Sequence, residues 1–156
     1  MRSVLYAEQL RPGAVFDLGT AKISKEEILE FGRRFDPLPL HTDEDAAAAG
    51  RFGGLIASGF HTMAVLQRLT VDAVFSRAAL IAGREISSVH MRAPVRPGDV
   101  LHGSMKIAEV RPRDDGTAIV HSRGTLTNDT GTVVLEIQGA TLWEHRPPPA
   151  GRASGG

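Results

Sequence analysis

Gly59-Phe60-His61-Thr62-Met63-Ala64-Val65-Leu66-Gln67-Arg68-Leu69-Thr70-Val71-Asp72-Ala73-Val74-Phe75 decides how this chain folds. Wound as a helix, Met63, Val65, Leu66, Leu69, Val71, Val74 and Phe75 cover most of its circumference. A helix that is apolar nearly all round is buried on several sides, so another layer must wrap it. The remainder of the chain supplies that layer. Residues 84–94, 99–110, 117–127 and 132–144 read as strands. In the third, Ala118, Val120 and Leu126 share one face, with His121, Arg123 and Thr125 on the other. In the fourth, Val133, Leu135 and Ile137 alternate with Thr132, Glu136 and Gln138. Pro94 to Gly98, Asp114-Asp115-Gly116 and Asn128-Asp129-Thr130-Gly131 supply turn chemistry between them. Helices first and consecutive strands after predict an α+β fold with an antiparallel sheet around a long central helix.

Upstream, residues 14–23 read as a short strand pair turning at Gly19. Ser24-Lys25-Glu26-Glu27 is a capping box, and Ile28, Phe31 and Phe35 then share one helix face until Pro37 ends the helix. Thr42-Asp43-Glu44-Asp45 opens a short alanine-rich helix that stops near Gly50, and residues 50–54 form a flexible loop. Residues 1–145 are expected to form one domain, with a disordered Pro- and Gly-rich tail over 146–156.

With 18 basic and 18 acidic residues the chain has no net charge, which gives no electrostatic case for nucleic acid or an anionic membrane as partner. It contains no cysteine, excluding thiolate nucleophiles and cysteine metal sites. No apolar run has signal-peptide or membrane-spanning length, so a cytoplasmic location is expected. No histidine pair has helical metal-ligand spacing, and neither a nucleophile elbow nor a phosphate-binding glycine loop occurs; no metal is expected. His90, His102 and His121 lie in strand-like runs and are expected to be half-exposed.

The chemistry concentrates in Asp36-Pro37-Leu38-Pro39-Leu40-His41. A carboxylate and an imidazole stand five positions apart on a connector stiffened by two prolines. Such a pair suits acid–base work on one small reactant, although a solvated helix end followed by a proline turn has the same spacing. Ser58 is a good N-cap for the central helix, which makes Gly59 its first residue. The Gly59 N–H then has no intrahelical acceptor, and without a side chain beside it a ligand can approach closely. The helix dipole adds to this donor, giving a candidate oxyanion hole.

Phe35-Asp36-Pro37-Leu38-Pro39-Leu40-His41-Thr42-Asp43, followed by Gly54-Leu55-Ile56-Ala57-Ser58-Gly59, resembles the hydratase motif of the MaoC-like dehydratases, the (R)-specific enoyl-CoA hydratases. Ala93-Pro94-Val95-Arg96-Pro97-Gly98-Asp99-Val100-Leu101 resembles a further segment of that family, so the resemblance spans roughly residues 10–144. It implies a hot-dog fold, a homodimer, and addition of water to a trans-2-enoyl thioester of CoA or acyl carrier protein, or the reverse dehydration. It implies no cofactor beyond the CoA carried by the substrate. Asp36, His41 and Gly59 would be catalytic, and Ser58, Leu38 and His61 would line the substrate site. Leu38 departs from the pattern, which has Asn or Gln there. Gln67 could bond toward the site, and several arginines could meet CoA phosphates. Two other readings stay open: a hot-dog thioesterase in which Asp36 activates water, and a non-catalytic acyl-binding subunit, which the departure at Leu38 keeps alive.

Overall fold

The capping box sets the first helix. In a computed structural model that describes residues 3–151, Ser24 Oγ accepts from Glu27 N at 3.1 Å, and Glu27 Oε2 accepts from Ser24 N at 2.8 Å. These reciprocal bonds satisfy two donors that the helix start would otherwise orphan. Helix α1 then runs Lys25–Phe35 with Asp36 as its C-cap. Ile28 is fully buried, but Phe35, expected on the same face, is 62% exposed. The core contact of α1 ends at buried Gly32, one turn earlier, so Phe35 packs only on the Phe31 ring and under the Arg34 guanidinium.

Two further expectations need correction. Residues 14–23 are not a strand pair; Val15–Lys22 is one strand, β1, antiparallel to a strand far along the chain. Gly19, at φ +81°, makes a bulge there rather than a reversal, because the left-handed conformation serves either purpose. The stiff connector is itself partly helical. Leu38 is extended, as a residue before proline must be, and Pro39 then starts a one-turn helix, α2, over Pro39–Thr42. Asp43 Oδ1 caps α3, Glu44–Ala49, by accepting from Asp45 N and Ala46 N. The 50–54 loop is tied down by Arg96 Nη2, which donates to the Phe52 carbonyl at 2.7 Å.

The remaining strands are β2 (Leu80–Met91), β3 (Val100–Pro112), β4 (Thr117–Thr127) and β5 (Val133–Glu144). They form a five-stranded antiparallel sheet with β1 in the order β1-β3-β4-β5-β2. The long helix, α4, spans Gly59–Ala73 across its inner face. This is the hot-dog arrangement, α+β as expected. Glycines in the sheet let α4 come close. A Cβ on Gly124 would lie 2.8 Å from Leu66 Cδ2, and one on Gly103 would lie 3.2 Å from Leu69 Cδ1. The inward face of β4 is the expected one, with Ala118, Val120 and Leu126 buried. Leu135, Val134 and Trp143 of β5 complete the core, and Trp143 meets Phe75 edge-on.

Burial of α4 on several sides is only partly met within one chain. Leu66, Leu69 and Thr70 are buried, but Phe60, Ala64, Gln67 and Arg68 are exposed along one flank. A five-stranded sheet covers one side of a helix, not its whole circumference. After β5, Arg146 N donates to the Glu8 carboxylate, and residues 147–151 have no regular structure. The rest of the expected tail, 152–156, lies outside the described residues.

Gly32 fixes how closely α1 meets α2. A Cβ there would lie 2.7 Å from the His41 carbonyl oxygen, a backbone atom that cannot swing aside. Helix propensity alone would make Gly32→Ala stabilising by about 1 kcal/mol. The clash should outweigh it, so the variant is expected to lose about 1–3 kcal/mol in urea unfolding. Equal or greater stability would show that α1 and α2 can slide apart freely.

Candidate active site

Three residues, Asp36-Pro37-Leu38, carry the chain from α1 to α2, so the C-cap of α1 and the body of α2 face each other. Asp36 Oδ2 lies 3.5 Å from His41 Nε2. The imidazole is oriented from behind: its Nδ1 is 2.7 Å from the Ile56 carbonyl oxygen. A carbonyl only accepts, so Nδ1 carries a hydrogen in either protonation state, and whenever the ring is neutral Nε2 is the bare nitrogen that faces Asp36. Ile56 N in turn donates to the Leu40 carbonyl at 3.1 Å, fixing the segment before α4 against α2.

Ser58 fixes the carboxylate. Its hydroxyl donates to Asp36 Oδ2 at 2.7 Å while accepting from Phe60 N at 3.3 Å as the N-cap of α4. The residue is 1% exposed, so its hydroxyl serves Asp36 rather than open space. Two hydrogen-bond acceptors, Nε2 and Oδ2, therefore face each other, each held by a separate buried partner. A single water can donate one hydrogen to each and keep its oxygen lone pairs for a third atom.

That third atom would sit in a cavity of about 390 Å³ lined by Asp36, His41, Gly59, Phe60, Met91 and Arg92, among others. Gly59 is the first residue of α4, as its position after Ser58 predicts. The Met91 side chain covers it: a Cβ on Gly59 would fall 2.1 Å from the Met91 sulfur. Any side chain at 59 would have to displace that thioether. The structure thus brings Asp36, His41 and Gly59 together around one cavity, with Ser58 behind Asp36. It does not bring Leu38 or His61 to the wall. Leu38 is 51% exposed and contributes its carbonyl, which accepts from His41 N and Thr42 Oγ1. His61 is buried on α4, stacked on Phe31 of α1 with centroids 4.9 Å apart. Gln67 lines a second, larger cavity of about 630 Å³ between α4 and the sheet, with Met63, Leu66, Phe75, Leu80 and Ile137. Sequence reasoning missed the Ile56 carbonyl, which no side-chain pattern can announce, and Met91, an apolar residue near a strand end. Among the described residues no helix is long and apolar enough to cross a membrane.

The sequence profile of the MaoC like domain matches residues 8–139, so the chain belongs to that family. The chain is 35% identical over 108 residues to the uncharacterised protein YdeM of Bacillus subtilis, covering 69% of this chain and 77% of the relative. It is 29% identical over 110 residues to the 3-hydroxybutyryl-CoA dehydratase of Methylorubrum extorquens, covering 70% and 68%. The crystal structure of a MaoC-like dehydratase from Rhodospirillum rubrum superposes with a TM-score of 0.85 at 34% identity, covering 92% of this chain and 99% of that one.

Burial of His61 has a consequence for stability. Desolvation holds its pKa below the ordinary value of 6.5, with Glu27 acting weakly in the opposite sense. The unfolded chain therefore binds a proton more readily than the folded one, and folding stability should fall as pH drops below about 6.5. Chemical unfolding at pH 7.5, 6.5 and 5.5 should show that loss. His61→Phe, which keeps the stack on Phe31, should flatten the profile over this range. An unchanged profile in the variant would remove His61 as its source.

Proposed function

We propose that the chain is a hydro-lyase that adds water to a trans-2-enoyl thioester, giving the (R)-3-hydroxyacyl thioester, and runs the reverse dehydration. The observation that carries this reading is the pair of acceptors, His41 Nε2 and Asp36 Oδ2, facing each other at 3.5 Å on the wall of a cavity that also holds Gly59. The water held between them loses one proton to the pair as its oxygen attacks C3. Electrons from the double bond move toward the thioester carbonyl, whose oxygen takes negative charge. The Gly59 N–H, backed by the α4 dipole, donates to that oxygen. C2 then recovers a proton from the pair, so the protein ends each turnover in the protonation state in which it began. Met91 moves off Gly59 when the thioester enters; a thioether on an unbranched chain does this at low cost.

The acyl chain follows the apolar cavity between α4 and the sheet. The bare flank of α4, with exposed Phe60, joins Ile81, Ile86 and Met91 of the edge strand β2 in an apolar surface that suits a second copy of the chain. A homodimer would close that cavity. The dehydratase relative supports a CoA thioester as the carrier. A thioesterase is disfavoured because the polar pair would need to face the carbonyl carbon, whereas the Gly59 donor beside it suits an enolate oxygen.

The test is loss of the conjugated enoyl-thioester absorbance with a short and a medium trans-2-enoyl-CoA, followed by chiral analysis of the product. Asp36→Asn and His41→Ala are each expected to slow turnover by about 10²–10⁴-fold with the dimer intact. Release of free thiol in place of hydration would move the assignment to a thioesterase. A folded dimer with neither reaction would point to a binding subunit.

A further inference from the structure

The outer face of the sheet, away from the candidate active site, carries an unexplained concentration of positive charge. Lys106 of β3 and Arg123 of β4 are direct cross-strand partners, and Gln138 of β5 is the partner of Arg123 on the other side. Like charges placed opposite each other on a sheet are destabilising, by up to about 1 kcal/mol. A chain with equal numbers of acids and bases could have put a carboxylate between them, and it does not. The side chains instead surround a concavity of about 270 Å³, whose lining includes Ser87, Lys106, His121, Arg123 and Gln138 and no Asp or Glu.

The nearby carboxylates are engaged elsewhere. Glu109, opposite His121, bonds Arg111 through both oxygens. Glu136 bonds Arg92 through Oε2 and reaches Arg123 Nη1 only at 3.9 Å through Oε1. Among the described residues Lys106 has no ion-pair partner. His121 also lines the concavity, with its Nε2 closed to solvent and making no hydrogen bond. The bulge of β2 between Ile86 and Ser88 turns the Ser87 hydroxyl onto the Gln138 carbonyl, which shapes the far wall.

We infer that this concavity is a binding site for a phosphate-type oxyanion, held by Lys106 and Arg123 with His121 on its wall, on the opposite side of the sheet from the Asp36–His41 cavity. An oxyanion has the acceptor count to take hydrogen bonds from an ammonium and a guanidinium together, and it relieves the cross-strand repulsion. The anion is either free or the phosphate end of a larger ligand such as a nucleotide.

Amide chemical shifts followed during titration test this. The ligands are inorganic phosphate and adenosine 3′,5′-bisphosphate, at constant ionic strength with sodium chloride as control. Saturable shifts are expected at 106, 121, 123 and 138, with affinity at least tenfold weaker in Arg123→Gln and in Lys106→Gln, and unaltered in Lys22→Gln, at the end of β1 away from Lys106. Both variants change exposed side chains, so their spectra should otherwise match the parent. Similar affinity for the two ligands identifies a free oxyanion, and much tighter binding of the bisphosphate identifies a phosphorylated ligand; either supports the site. Shifts that chloride reproduces, no saturation, or unchanged affinity in both variants would overturn it.

Discussion

The hydrogen bond from His41 Nδ1 to the Ile56 carbonyl is the contact on which the site depends. It joins the one-turn helix α2 to the extended segment leading into α4, beside the Ile56–Leu40 backbone bond. Because it is buried and its acceptor is a carbonyl, it fixes the tautomer as well as the ring orientation. From that follows the lone pair on Nε2, the approach of two acceptors to 3.5 Å, and the place for a water between them. Ser58 is the matching constraint on the other side. The hydroxyl that caps α4 also holds Asp36, so the helix start supplies the Gly59 donor and the orientation of the acid from adjacent residues.

Precision here comes from steric limits as much as from hydrogen bonds. Gly32 lets α1 sit directly on the backbone of His41; Gly124 and Gly103 let Leu66 and Leu69 of α4 descend into the sheet. The central helix is thereby held at one depth, and its N-terminus at one distance from the proline segment. Phe35 and Phe60, by contrast, lie on the surface. Two cavities flank the central helix, one of about 390 Å³ beside Asp36 and His41 and one of about 630 Å³ along α4, both walled mainly by apolar side chains.

Much of this was legible in the sequence, and the failures have physical causes. The antiparallel sheet could be read because β4 alternates cleanly and its turns carry Asp-Gly and Asn-rich chemistry. The capping box at Ser24 formed as its spacing requires. Gly19 misled because a positive-φ residue marks a bulge as readily as a turn, and only the distant partner strand distinguishes them. The helical turn at Pro39 was missed because proline signals a break and a helix start equally. Asp36, His41 and Gly59 could be picked out because a carboxylate, an imidazole and a missing side chain are visible in a sequence. The Ile56 carbonyl could not, since every residue has one. Ser58 caps α4 as its position predicts, and nothing in the sequence announces that its hydroxyl also donates to Asp36. Leu38, at the position where the family pattern has a polar residue, points outward and acts through its backbone, so its apolar side chain takes nothing from the pair itself.

The most direct test of this account is the protonation of His41 in the resting protein, read from ¹⁵N chemical shifts and couplings of its imidazole near pH 8, with His41→Gln used for assignment. The account requires a neutral ring protonated at Nδ1, with that proton shifted downfield by the bond to Ile56, and a bare Nε2 that responds to Asp36→Asn. A ring protonated at Nε2 would point a donor at Asp36, leave no pair of acceptors for a water, and contradict the arrangement on which the proposed chemistry rests.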